Sequence, residues 1–307
     1  MRYLKASWKG LLFIAFLLGL NVTLWLTAKP IIPQPLESTA AQITGSLILL
    51  GFTFVFFLST KNRLVNWLFN GLENVYSTHR WLAIISLALI YLHAQFTHLI
   101  IQYYRADIPF EAADMGPLAR NIFIGLIGIA LLAKYMKYEH WRYIHRLMIV
   151  PYLIAAYHAF FISSYALFSF TPLGIWMMVM ITTGVSSSGY MILVYRRAAF
   201  TFKGRVKTIE TVAKDISEIE VELSASYPFK TGQFTFMKIN KPPFNGVPHP
   251  FTISGAKGNS VFFTIKALGD FTRALPSKLA VGDDIHLTKA YGHMTFEDYP
   301  GPQVLIA

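Results

Sequence analysis

Four histidines stand in two apolar stretches of this chain: His79 and His93 bracket "RWLAIISLALIYL", and His145 and His158 bracket a second such run. Imidazole nitrogen ligates metals, and an ionisable side chain in a membrane-like setting is a functional candidate by default. The first pair is 14 residues apart and the second 13. On helices rising 1.5 Å per residue, each pair therefore spans roughly 20 Å. Helices crossing in the same direction bring His79 level with His145, and His93 level with His158. Two facing imidazoles at each of two depths make two bis-histidine sites. The iron of a b haem, which takes one axial ligand on each face of its porphyrin, is the cofactor that suits them. Zinc fits poorly, because each depth offers only two histidines. The chain has no cysteine, which excludes covalent haem attachment through C-x-x-C-H and a thiolate-ligated iron–sulfur cluster.

The rotational spacing fits less well. Fourteen residues leave a turn of about 40°, so His79 and His93 share a helix face, whereas thirteen leave about 140° and separate His145 from His158 on an ideal helix. Pro151 lies between the latter two and is able to kink or rewind the helix. Other residues near these depths have plainer explanations. Arg80, Arg142 and Arg146 adjoin the inner ligands and suit propionates, although basic residues at cytoplasmic helix ends explain them equally. Tyr152, midway between His145 and His158, stands between the two depths or simply packs. His98 and Arg105 lie beyond His93 and are candidates for an outer acceptor site; His140 reads as interfacial.

The elements that must position these histidines are membrane spans. The 307 residues are 54% hydrophobic and only 14% charged, against about 25% charged in soluble domains. Runs of spanning length fall near 10–28, 43–60, 80–101, 119–135, 142–163 and 173–195, the fourth being short for a segment that needs about 20 residues. The ends facing one side carry Arg2, Lys5, Lys9, Lys61, Arg63, Lys134, Lys137, Arg142 and the cluster Arg196 to Lys207, while the other side is mixed in charge. The positive-inside rule therefore puts both termini in the cytoplasm of a multi-pass cell-membrane protein. It also accounts for the net charge of +11 without a nucleic-acid partner. The first run is too long for the core of a cleaved signal peptide and is expected to be retained.

The composition changes after Arg197. Residues 1–199 are expected to form the six-helix membrane domain, and 200–300 a soluble module in which strands such as "FTFMKI" and "VFFTIKAL" alternate with polar turns. In "HPFTISGA", 249–256, Thr252 and Ser254 fall on one side of a strand with their hydroxyls available to a ligand. In "LGDFTRAL", 268–275, Gly269 ends a strand and a helix opens at Asp270 or Thr272, leaving free amides and a hydroxyl for an anion such as a pyrophosphate.

Taken together, "VYSTHRW", "YEHWRYIHR", "KTGQFTFMKI", "HPFTISGAKG", "ALGDFTRAL" and "KAYGHM" resemble segments of the bacterial NADPH oxidases of the ferric reductase superfamily. The resemblance implies an all-α six-helix bundle binding two b haems, followed by a cytoplasmic antiparallel β-barrel of ferredoxin-reductase type that binds FAD. It implies that His79 and His145 hold the inner haem and His93 and His158 the outer. It also implies that His249, Pro250, Phe251, Thr252 and Ser254 cradle the flavin, with Thr252 near the isoalloxazine, while Gly269 and Thr272 serve the pyrophosphate. In that family a nicotinamide-binding domain follows. Here "PQVLIA", 302–307, reads as its first strand, so the NADPH site is expected to lie outside these residues.

The implied activity is electron transfer from NADPH through FAD and two haems to extracellular O2, giving superoxide, with the lipid bilayer as surroundings and no obligate protein partner. A ferric or metal-chelate reductase shares every motif. The loop expected at 102–120 offers Asp107, Glu111 and Asp114, which form no ordered iron site. A non-catalytic haem carrier is disfavoured, because a carrier fed by quinol has no need of flavin.

Overall fold

The structure is a computed structural model, and it describes residues 8–99, 110–136 and 138–292. The chain divides into two compact units between Leu193 and Val194.

The first unit is helical. Its helices are α1 Trp8–Thr27, α2 Leu36–Ser59, the short α3 Arg63–Phe69, α4 Leu72–Leu99, α5 Phe110–Leu131, α6 Tyr138–Arg146, α7 Ile149–Ile162 and α8 Pro172–Gly189. Among the described residues, six helical stretches are long and apolar enough to cross a membrane, α6 and α7 together supplying the fifth. Local chemistry sets their ends. Thr171 Oγ1 accepts from Gly174 N at 3.1 Å, with Pro172 following, a cap that opens α8. Asn62 Oδ1 accepts from Val65 N at 2.8 Å to open α3, and Asn70, with φ of 51°, closes it in the left-handed conformation.

Helix α2 is the centre of the bundle. It packs against α1, α4, α7 and α8 and buries residues along its length, from Ser46 through Leu49, Phe52 and Val55 to Leu58. Gly51 lets α4 approach closely, since a Cβ there would run into Ser86 Oγ. The outward faces carry large apolar side chains such as Phe16, Ile84, Leu131 and Leu193, as contact with lipid requires. Polar ties cross the interior. Asn21 is wholly buried; it donates to Ser46 Oγ at 2.8 Å and accepts from Trp176 Nε1 at 2.8 Å, joining α1, α2 and α8. Near the start of α2, Gln42 accepts from Ser163 Oγ at 2.9 Å and Ser164 N at 3.1 Å and donates to Gln34 Oε1 at 2.8 Å.

Two details depart from the sequence expectation. The fourth span begins at Phe110 rather than 119, so the expected loop at 102–120 is helical from Phe110 onward and carries Glu111 and Asp114 on a helix. An acidic residue in the first turn suits the positive end of the helix dipole, and Pro117 is tolerated inside the helix. The fifth span is broken rather than continuous: Leu147 N bonds to Ile144 O at 3.0 Å, Met148 N to His145 O at 3.3 Å and Val150 N to Leu147 O at 2.9 Å. These three-residue bonds tighten the chain just before Pro151, which has no N–H to donate and whose ring crowds the carbonyl four residues back. The tighter winding, about 20° extra at each of three residues, reduces the mismatch that an ideal helix leaves between His145 and His158.

The second unit is an antiparallel sheet of seven strands in the order β4-β3-β7-β1-β2-β6-β5. They are β1 Phe202–Ala213, β2 Ile216–Leu223, β3 Phe234–Ile239, β4 His249–Thr252, β5 Gly255–Lys257, β6 Ser260–Lys266 and β7 Asp284–Leu287. One continuous stretch closes the sheet on itself. Residues of β4 pair with β3, Ile253 N bonds to Gln233 O at 3.0 Å, and then Ser254 N bonds to Phe262 O at 2.9 Å as β5 joins β6. The edge strands are thus one segment, and the barrel has no long free edge. Val221, Met237, Phe263, Ile285 and Leu287 fill its core, and α9, Asp270–Lys278, covers one end through Leu275. (The four-residue helical turn Tyr195–Ala198 precedes β1.)

Candidate functional site

The four histidines meet as two pairs. The ring centres of His79 and His145 are 6.2 Å apart, and those of His93 and His158 are 6.3 Å apart. An imidazole nitrogen about 2 Å from a metal on each side, with each ring centre roughly 1.1 Å behind its nitrogen, gives about 6.3 Å between ring centres. Each separation is therefore wide enough for one metal ion between the two rings. Among the described residues, no cluster of three or more His, Asp or Glu side chains is placed to hold a metal. The donor sets are thus paired imidazoles, which suit a metal whose other ligands come from a macrocycle.

The second nitrogen of three of the rings supports such pairing. His93 Nδ1 lies 2.8 Å from Ala41 O, His158 Nδ1 2.8 Å from Ala112 O and His79 Nδ1 3.1 Å from Val55 O. A carbonyl can only accept, so in each case Nδ1 carries the proton and Nε2 keeps its lone pair for the gap. That is the arrangement by which proteins hold metal-ligating histidines. His145 is different: its Nδ1 is buried with no hydrogen-bond partner, and its ring stacks on Trp141, 4.9 Å away and tilted by 17°.

Around the His93–His158 pair lies a cavity with about 1000 Å³ of empty space, part of it open to the surroundings. Glycines make room beside both rings. A Cβ on Gly116 would stand 2.7 Å from His158 Cε1, and one on Gly45 would stand 3.2 Å from His93 Cε1. Trp25, Gln42 and Arg120 also line the space. None of these five stands out in the sequence, because their role comes from contacts between spans far apart in the chain.

Other expected residues find varied places. Tyr152 is fully buried and its hydroxyl lies 2.7 Å from Thr53 Oγ1, which ties α7 to α2. Arg142 and Arg146 both lie over the Tyr143 ring, at 5.6 and 5.7 Å. His98 is in the last turn of α4; its side chain, together with Arg105, Asp107 and residues 302–307, lies outside the described residues.

In the barrel, Pro250, Thr252 and Ser254 are exposed on one face, while Phe251 packs toward the core and Ile253 is buried. Phe236 pairs with Pro250 and Phe234 with Thr252 across the strands, and Tyr291 lies within 6.0 Å of both rings. This aromatic platform beside Thr252 was not singled out in the sequence. His249 stacks on Phe271 with ring centres 3.8 Å apart, which joins "HPFT" to the first turn of α9. One expectation needs correction. The helix opens at Asp270, but its amides are not all free: Thr272 Oγ1 accepts from Leu268 N at 2.9 Å and Gly269 N at 3.0 Å, and Asp270 Oδ1 accepts from Phe271 N at 2.8 Å. Short polar side chains compete for these donors by capping their own helix.

Two family models match the chain: the ferric reductase like transmembrane component over residues 44–156, and an FAD-binding domain over residues 201–302. The chain joins a ferric reductase-like membrane component to an FAD-binding domain. This is the architecture of the NADPH oxidase and ferric reductase proteins. The ferric reductase-like component contains His79, His93 and His145, and His158 follows two residues past its matched end. The FAD-binding domain contains the "HPFT" strand and α9. With six candidate spans among the described residues and a ferric reductase-like transmembrane component, the chain is a multi-pass membrane protein.

No curated protein gives a significant match. Among solved structures, the ferredoxin reductase in carbazole 1,9a-dioxygenase is 21% identical, over 33% of this chain and 30% of that one, with a TM-score of 0.29. A ferredoxin NADP+ reductase from Neisseria gonorrhoeae with bound FAD and NADP is 20% identical, over 32% and 41%, with a TM-score of 0.28. A flavohemoglobin from Malassezia yamatoensis with bound FAD and heme is 17% identical, over 86% and 66%, with a TM-score of 0.35. The chain spans less than half the length of the two reductases.

Proposed function

We propose that this protein carries electrons from NADPH, by way of FAD and two haems b, across the cell membrane to O2, and that superoxide is the product. The carrying observation is the two imidazole pairs, each separated by 6.2 to 6.3 Å with its rings at the width of one metal ion. When bound, the flavin takes up two electrons as hydride and releases them singly, and the haem irons relay single electrons.

The residues of the chain supply position and exclusion. His79 and His145 would hold one iron, and His93 and His158 the other. The carbonyls of Val55, Ala41 and Ala112 hold three of the rings in the tautomer that ligation needs. With both histidines of each pair as ligands, the irons would offer no coordination position to a substrate such as O2. Thr252, Ser254, Phe234 and Phe236 offer hydroxyls and rings to the flavin on the exposed barrel face. The basic residues at one set of helix ends support a cytoplasmic location for both termini.

A reduced-minus-oxidised visible spectrum of the purified chain, with haem counted per polypeptide, tests this reading. Two b haems per chain are expected; a chain without haem when haem is supplied would sink it. The ferric reductase-like match also favours a metal-chelate reductase with the same electron path. Cytochrome c reduction that superoxide dismutase suppresses marks the oxidase, and ferric-chelate reduction in the absence of oxygen marks the reductase.

A further inference from the structure

The cavity beside His93 and His158 contains a donor that nothing among the described residues uses. Trp25, in the last turn of α1, is 2% exposed and lines that cavity, and its Nε1 has no hydrogen-bond partner. Its orientation is fixed by an edge contact with Tyr165, ring centres 5.0 Å apart and planes at 79°. An indole N–H can only donate, and a buried donor without an acceptor is costly. Its polar neighbours in the cavity are already engaged. Gln42 Oε1 accepts from Ser163 and Ser164 and its amide nitrogen donates to Gln34, while Ser46 Oγ accepts from Asn21 and donates to Ile43 O. The cavity therefore calls for an acceptor brought in by whatever fills it. Arg120, the one lysine or arginine among the lining residues, adds a positive charge and gives that acceptor a sign.

We propose that Trp25 is a haem-binding residue, whose indole N–H donates to a propionate carboxylate of the group held between His93 and His158. This rests on the two-haem reading. The hydrogen bond offsets part of the carboxylate charge, and so favours the reduced state of the adjacent iron.

Redox potentiometry of the purified full chain, wild type and Trp25→Phe, tests the assignment. Phenylalanine keeps an aromatic ring against Tyr165 and removes the donor. The expected result is two haems in both proteins, one midpoint potential unchanged and the other lowered by up to about a tenfold change in the redox equilibrium, about 59 mV for one electron. Two haems with both potentials unmoved would overturn the assignment. Should the variant lose haem, vibrational spectra of the wild type in H2O and D2O decide: a carboxylate band that shifts on deuteration supports the N–H donor, and one that does not shift refutes it. A wild type that binds no haem overturns the functional reading and this assignment together.

Discussion

The two histidine pairs agree in the distance between their rings and differ in almost everything around them. At His93–His158, both Nδ1 atoms donate to carbonyls at 2.8 Å, a glycine crowds each ring and the planes cross at 85°. At His79–His145, one ring donates at 3.1 Å, the other has no acceptor and rests on Trp141, and the planes cross at 51°. The gap width is what coordination demands; the surroundings adjust each ligand. A ring whose N–H is hydrogen-bonded is the more basic ligand and the more firmly oriented one. On the proposed haem reading, the His93–His158 pair would be the more rigid site, and His145 the weakest ligand of the four.

Removing a ligand gives the largest test of this contrast. Replacing His93 or His158 by alanine is expected to abolish one of two haems and leave the other, and replacing His79 or His145 to do the reverse; haem counting of each variant checks this. A single substitution that emptied both sites would show that the pairs are not independent. Next comes Gly116→Ala, whose new methyl would lie within 3.0 Å of three His158 ring atoms, closer than real Cβ contacts allow. Haem affinity at that pair is expected to fall by about tenfold, the lower end of what disturbing a ligand's support costs, and haem titration of the variant reads it. Gly45→Ala meets His93 at 3.2 Å, a contact that a shift of a few tenths of an ångström relieves. The same titration should therefore show a smaller loss, and equal losses would mean that crowding does not set the order. The finest test is the potential of the two sites. The His79–His145 haem, with one ligand lacking an acceptor, is expected to be the more positive, by no more than about 59 mV. Potentiometry of Trp25→Phe, in which the propionate donor no longer offsets the difference, measures it after assignment by the alanine variants, and the reverse order there would remove the role given to the Nδ1 bonds.

Much of this arrangement is written in local sequence. The 14- and 13-residue spacings, the basic helix ends and the "HPFT" strand each depend on residues close together in the chain, where periodicity and charge can be read directly. What escaped is non-local. Gly116 and Gly45 look like ordinary helical glycines until another span sets a histidine against them. The rewinding before Pro151 depends on three hydrogen bonds that spacing alone does not specify. The fourth span starts early because a polar stretch with a proline, 110–119, is helical once packed against α7. Thr272 shows the converse: a residue type suited to a ligand can be consumed by its own helix cap.

Asn21 carries a consequence for how the protein is made. An asparagine within an apolar helix is a burden at the moment of insertion, when its amide has only lipid and its own helix nearby. Its partners reach it at different times in synthesis: Ser46 arrives with the second span, but Trp176 belongs to the sixth, 155 residues later. The first helix therefore stays half-satisfied until the sixth one docks, and that span acts as a closing piece for the first rather than an appendage to a finished bundle.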